Sequence, residues 1–291
     1  MTDNKPVYII SDSPEKESVE FGFNAYARTI ADLIANKENK TPLVIGIYGP
    51  WGSGKTTLME TVKRLLKDND YSDTNKYRKC KTVWFQAWKY GNEDEILAAL
   101  IEQIFKSMKE DDFFEKCKAE IKKLSKKLKK SKVIGDLSKL LTGIDITEYF
   151  DELKYKEKLG FYDTFQGFFD DLLWTYLTWH AGIGRSEQPN DKNGALVVFI
   201  DDLDRCPKER IIKVLETIKL FMDKEGCVFV IGAADETIVK ELKKTYGDND
   251  ARNFLDKIVQ LTFTLPRIPD GDFKPYLEKI APAQKKRLSL F

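Results

Sequence analysis

The sequence predicts an α/β fold: a parallel five-stranded core sheet covered by helices on both faces. Three observations lead there. Leu-Val-Ile-Gly-Ile-Tyr at 43–48 is a short apolar run that breaks into a glycine-rich turn, Gly49 to Gly54, and continues with helical spacing. Ala195 to Ile200 is apolar at every position, as a strand buried on both faces reads. Apolar runs then alternate with helical patterns along the chain, and such alternation builds βα units and a parallel sheet.

The elements follow in order. Residues 21–35 place apolar side chains at helical spacing and read as a helix ahead of the first strand. Strands are expected at 43–48, 82–88, 195–201, 227–233 and 258–265. Helices are expected from Thr57, from near Pro207, and over Glu236 to Lys243. One domain is expected over 1–291, with a helical, lysine-rich insertion at 108–194. Within that insertion Lys116 to Lys132 holds nine lysines against the single acid Glu120, and Ile121, Leu124 and Leu128 form an apolar stripe. Two readings of this basic amphipathic helix stand: a solvated face, or a surface for acidic membrane or nucleic acid.

Composition bounds the function classes. Of 291 residues, 42% are hydrophobic and 33% charged, an ordinary soluble balance. The net charge of +1 gives no global attraction to nucleic acid or membrane. No signal-peptide pattern follows Met1, and no window approaches the roughly 18 apolar residues of a membrane span. The expected location is cytoplasmic, with peripheral membrane contact through the lysine-rich helix as an option. Cys80, Cys117, Cys206 and Cys227 are scattered, and His180 is the single histidine. Neither a zinc site nor a disulfide framework is indicated, and His180 reads as a helix-end residue.

The glycine-rich turn carries the chemistry. Gly49-Pro50-Trp51-Gly52-Ser53-Gly54-Lys55-Thr56-Thr57 is a P-loop. Its glycines let successive amide N–H groups converge on phosphate, with the positive end of the next helix behind them. Lys55 is expected on the β- and γ-phosphates and Thr56 on Mg2+. The strand at 195–201 ends in Asp201-Asp202-Leu203-Asp204-Arg205, a Walker B pattern. Asp201 is expected to hold Mg2+, and Asp202 to orient or deprotonate the attacking water. For Asp204 and Arg205 a local ion pair at the helix near Pro207 stands beside a catalytic role, and Arg205 is also a candidate arginine finger.

With both motifs in place the chain resembles the KAP family of P-loop NTPases. The resemblance is carried by Gly49–Thr57, Val83-Trp84-Phe85-Gln86-Ala87-Trp88-Lys89-Tyr90, Phe199–Cys206 and Phe254–Leu261. It implies a three-layer sandwich with strand order 5-1-4-3-2, ATP and Mg2+ as cofactors, and slow hydrolysis coupled to a conformational switch. Bacterial and phage members add a link to phage exclusion. By analogy with related ATPases, Asp235 and Gln86 are candidate γ-phosphate sensors, with a helix cap as the alternative for Asp235. Phe21, Phe23 or Tyr26 stacks on the base or faces the core. Two departures stand out: the transmembrane insertions of many members are missing, and the chain ends soon after the last core strand. Either the chain is a minimal or truncated version, or its output comes from a partner chain; action through self-association or a partner protein is the expectation. An ATP-binding scaffold without turnover is the alternative function, favoured by Asp202 standing where many ATPases use glutamate. GTP is disfavoured because no Asn-Lys-x-Asp follows the second strand motif. A nucleic-acid motor or small-molecule kinase ranks last, for want of a helicase motif set or an acceptor pocket.

Overall fold

The computed structural model describes residues 23–67, 71–90, 95–111, 116–117, 169–182, 194–220 and 224–265. Most of the expected insertion, including Lys118 to Lys132, lies outside the described residues, as does Phe21. The strands are β1 (Leu43–Tyr48), β2 (Lys79–Phe85), β3 (Gly194–Ile200), β4 (Cys227–Ala233) and β5 (Leu261–Thr264). The helices are α1 (Phe23–Ala35), α2 (Lys55–Leu65), α3 (Glu95–Glu110), α4 (169–181), α5 (Lys208–Leu220), α6 (Asp235–Tyr246) and α7 (Asp248–Ile258).

All strand pairings are parallel, and the sheet order is β2-β3-β4-β1-β5. This is the expected order. Each central strand divides its side chains between two cores. Ile45 and Ile47 of β1, Val197 and Phe199 of β3, and Val228 and Val230 of β4 face α1 and α2. Val44, Val198, Ile200, Phe229 and Ile231 face the opposite way, toward α3 to α7. Every residue of β3 and β4 is buried, so the continuous apolar runs follow from burial of both faces.

Three strands depart from their expected bounds, β3 by one residue at each end and β2 and β5 by more. β2 begins at Lys79 and stops at Phe85, while Ala87–Lys89 forms a 3₁₀ turn. The aromatic run through Trp88 has strand composition, yet pairing with β3 ends at Phe85↔Ile200, after which the Phe85 carbonyl accepts from Asp201 N–H at 3.2 Å. The lysines at the start suit an edge strand, where charge discourages further pairing. At the other edge, Ile258 closes α7, and β5 is only four residues long with three of them exposed.

The helix at 169–181 is part of the core. Phe169, Leu172, Leu173, Tyr176 and Leu177 are buried with the strand residues of the α3–α7 face. A polar cluster closes its far end. Asp111, just past α3, accepts from Lys81 Nζ of β2 at 2.7 Å and from the Tyr176 hydroxyl at 2.5 Å. His180 Nδ1 lies 3.9 Å from the same carboxylate and its ring stacks on Tyr176. Burial alone would raise the Asp111 carboxyl, but the bonds from Lys81 and Tyr176 outweigh it and hold it below the usual value. The Tyr176 phenol is pushed up by burial and by Asp111.

His180 gives this cluster a pH signature. Burial pushes its imidazole below the ordinary 6.5, against the attraction of Asp111 and with the help of Lys81 and Lys79. The folded state therefore disfavours the proton: its stability is full above about 6.5 and is lost as pH falls through the lowered folded value. In denaturant titrations at pH 7.5 and 5.5, His180→Gln is expected to lose less stability on acidification than the parent. Equal losses would mean that His180 does not titrate differently in the two states.

Candidate functional site

The carboxyl ends of β1 and β3 bring the two sequence motifs to one edge of the sheet, on either side of β4. After Tyr48 the chain turns through Gly49–Gly54, with Gly49 N–H 3.4 Å from the Ala233 carbonyl of β4. Helix α2 begins at Lys55, two residues earlier than expected, so Lys55 and Thr56 lie in its first turn. Gly54 precedes it with φ 88° and no side-chain cap bond. The first N–H groups of α2 are thus left to the loop and to whatever anion enters it. Gly54 is required twice over: its φ is left-handed, and a Cβ there would stand 2.5 Å from the Phe23 ring. Phe23 is buried against the base of the loop, while Tyr26 is partly exposed.

Lys55 is 7% exposed, and its Nζ donates to the carbonyls of Gly49 and Pro50, each at 3.0 Å. A cation is therefore already folded into the loop, and a phosphate offers it stronger, charge-assisted partners than two neutral carbonyls. Ser53 is buried, and its Oγ has no hydrogen-bond partner among the described residues. Trp51 points outward, 76% exposed, and Gly52 is exposed beside it. Thr56 and Thr57 are half-buried.

Asp201 follows β3 and is 1% exposed. Its Oδ1 has no hydrogen-bond partner among the described residues. Burial, and next the charge of Asp202, push its carboxyl up to about 6, opposed by a hydrogen bond from the Thr56 hydroxyl and by Lys55. The Thr56 hydroxyl is thus near enough to the Asp201 carboxyl to lower it. A hard divalent cation fits this pair of oxygens, since it would satisfy the orphaned Oδ1 and remove the cost of burying the charge. Among the described residues no group of three or more His, Cys, Asp or Glu side chains could hold a metal by itself. Mg2+ bound by one or two protein oxygens takes its remaining ligands from phosphate and water.

Gly232 on β4 makes this proximity possible. A Cβ at this position would lie 3.1 Å from Asp201 Oδ1 and 2.4 Å from Met59 Sδ of α2. The absence of a side chain lets Asp201 and α2 approach each other across the intervening strand. Sequence reasoning passed over Gly232 and Met59, although a glycine inside an apolar strand is the signal for such close approach.

Asp202 is the single non-glycine residue with positive φ (55°) among the described residues. It leads into a 3₁₀ turn, Leu203–Arg205, anchored by the fully buried Leu203. Burial raises the Asp202 carboxyl, with Arg205 opposing. Arg205 Nε lies 3.0 Å from Asp202 Oδ1, so its ion-pair partner is Asp202, three residues back. Asp204 Oδ1 is buried without a hydrogen-bond partner among the described residues.

The remaining candidates lie at the same edge. Gln86 is half-buried, one residue past β2, and heads the 3₁₀ turn Ala87–Lys89 without making a side-chain cap bond. Asp235 is the first residue of α6, directly after β4, and Ala234 occupies the cap position.

Gly232→Ala is expected to destabilise the fold by ~1–3 kcal/mol, the usual cost of overpacking. Adding Met59→Ala should recover part of that loss, because the new methyl and the sulfur compete for one space. Strictly additive losses in chemical denaturation would show that the two do not compete.

Comparison with known proteins agrees with this geometry. An uncharacterized protein of Methanocaldococcus jannaschii is 28% identical over 179 residues, covering 52% of this chain and 86% of its own. An uncharacterized ATP-binding protein of the same organism is 31% identical over 149 residues, covering 51% of this chain and 34% of its own. Among solved structures, the Aeropyrum pernix ORC2 protein in ADPNP–ADP complexes superposes with a TM-score of 0.50 at 13% identity, over 94% of this chain and 55% of that one. This last likeness is one of fold, and this chain spans about half of that protein's length. The KAP family P-loop domain matches residues 23–289, nearly the whole sequence, and the chain accordingly belongs to the KAP family of P-loop NTPases, a family of nucleotide-binding domains.

Proposed function

We propose that this domain binds ATP with Mg2+ and hydrolyses it slowly, using the nucleotide state as a conformational switch. The observation that carries this reading is the pair Asp201 and Asp202 at the end of β3, one packed across Gly232 from the P-loop helix and the other one residue further on. Thr56 and Asp201 would hold Mg2+, which when bound offsets the charge on the phosphates. The backbone of Gly49, Pro50, Trp51, Gly52, Ser53, Gly54 and Thr57 wraps the phosphates, and Lys55 exchanges its two carbonyl partners for phosphate oxygens. Asp202 receives the proton of the attacking water as the water oxygen bonds to the γ-phosphorus. The bond from that phosphorus to the β–γ bridging oxygen breaks, leaving ADP and phosphate. Gln86 and Asp235, at the ends of β2 and just past β4, are proposed to sense the γ-phosphate.

A second reading, a scaffold that binds ATP without turnover, draws on the same turn. Aspartate is shorter than the glutamate many ATPases place here, and one oxygen of Asp202 is already engaged by Arg205. A role in phage exclusion or defence, self-association or a partner protein as the output, and contact of the lysine-rich segment with acidic membrane or nucleic acid are proposals resting on family resemblance and composition. Among the described residues no helix is long and apolar enough to cross a membrane.

Steady-state phosphate release and nucleotide binding, measured in parallel, test the two readings. Lys55→Ala is expected to weaken ATP binding about 10- to 100-fold, the equivalent of ~1.5–3 kcal/mol for a hydrogen bond to a charged group. Asp202→Asn should retain binding and lower turnover by about 10²- to 10⁴-fold, as loss of a general base does. A parent that binds ATP but releases phosphate no faster than Asp202→Asn would leave the scaffold reading in place.

A further inference from the structure

The turn after β3 is where the site departs from ordinary backbone geometry. A left-handed conformation is uncommon for a residue with a Cβ, although aspartate tolerates it better than most, and Asp202 adopts it with φ 55°. Its neighbour Leu203 is fixed in the core. Arg205 then bonds Asp202 twice. Its N–H donates to the Asp202 carbonyl at 3.0 Å, closing the turn, and its Nε lies 3.0 Å from Oδ1 of the carboxylate. This is the closest approach of the guanidinium to the carboxylate. The Arg205 side chain is 49% exposed and that of Asp202 18%, and a pair this open contributes little to stability.

Resting on the hydrolytic reading above, we propose that Arg205 is a positioning residue: it holds the Asp202 carboxylate, through Oδ1, in the left-handed turn and so orients it toward the attacking water. Arg205 acts through Asp202 and does not touch the nucleotide. A flexible carboxylate in an exposed turn would visit the productive orientation only part of the time, whereas a carboxylate fixed at one oxygen and at its own backbone is held near it. The arrangement also explains why the residue after the buried Asp201 is held in a left-handed conformation. The turn trades backbone energy for the placement of one side chain.

Phosphate release kinetics, nucleotide affinity and thermal midpoints of Arg205→Ala and Arg205→Lys test this, each in the parent and in Asp202→Asn. Misplacing a catalytic group by about 1 Å can cost on the order of 10²-fold in rate, so Arg205→Ala should lower kcat by roughly that factor, with KM, affinity and thermal midpoint unchanged. Arg205→Lys, which keeps the charge but not the rigid fork, should recover part of the loss. In the Asp202→Asn background Arg205→Ala should cost nothing further. If Asp202→Asn is too slow to measure, Asp202→Glu serves as the background, and there the cost of Arg205→Ala should differ from its cost in the parent. An unchanged kcat for Arg205→Ala would overturn the proposal. So would an equal loss in both backgrounds, which would place Arg205 on the phosphate. Lack of turnover in the parent, or full activity of Asp202→Asn, would instead defeat the hydrolytic reading itself, and the role of Arg205 with it.

Discussion

A carboxylate buried at the end of a fully apolar strand is the constraint around which the site is organised. Asp201 is almost completely enclosed, and one of its oxygens has no partner within the described structure. Burying an ionised carboxylate is expensive unless positive charge or hydrogen bonds compensate. The Thr56 hydroxyl and the charge of Lys55 compensate in part, and the carboxyl is still raised to about 6. The phosphate loop and the strand tip are thus linked electrostatically: the loop brings the cation and the hydroxyl, and the strand supplies the charge that they and a bound metal would neutralise.

That carboxylate can sit where it does because the sheet leaves no other place for polar groups. β3 and β4 are buried along their whole length, with α1 and α2 on one face and α3 to α7 on the other. Polar side chains are therefore displaced to the strand ends. At the carboxyl ends of parallel strands they meet the starts of the following helices, whose unpaired N–H groups attract anions. The fold creates an anion-binding edge from the same geometry that closes its core. The opposite region of the α3–α7 face is closed by the Asp111, Lys81, Tyr176 and His180 cluster, which joins β2, α3 and α4 through hydrogen bonds.

Small residues set the distances at the active edge. Gly54 admits the Phe23 ring beneath the loop, and Gly232 admits Met59 and Asp201 across β4. Both are places where a methyl group would collide with a neighbour, so the tight packing that fixes the site also couples it to α1 and α2. Lys55 is held on the Gly49 and Pro50 carbonyls, and on the proposed reading it exchanges these partners for phosphate. Loop rearrangement would then be felt along α2, the helix that Lys55 begins.

The sequence by itself determined the sheet and the two motifs. Five apolar runs, the glycine spacing from Gly49 to Gly54 and the adjacent aspartates at 201 and 202 depend on local pattern: residues that must be buried on both faces, or must let backbone close around an anion, are recognisable without neighbours. Strand order came from the resemblance to the KAP family. Only the tertiary structure decided which neighbours meet. It gave Arg205 to Asp202, set Phe23 against Gly54, placed Met59 beside Gly232 and began α2 at Lys55. It also drew 169–181 into the core and cut β2 at Phe85, where pairing with β3 runs out. Such contacts join positions tens to more than a hundred residues apart, or depend on a turn held open by core packing. The distance between two side chains is a property of the packed fold, and no local pattern carries it.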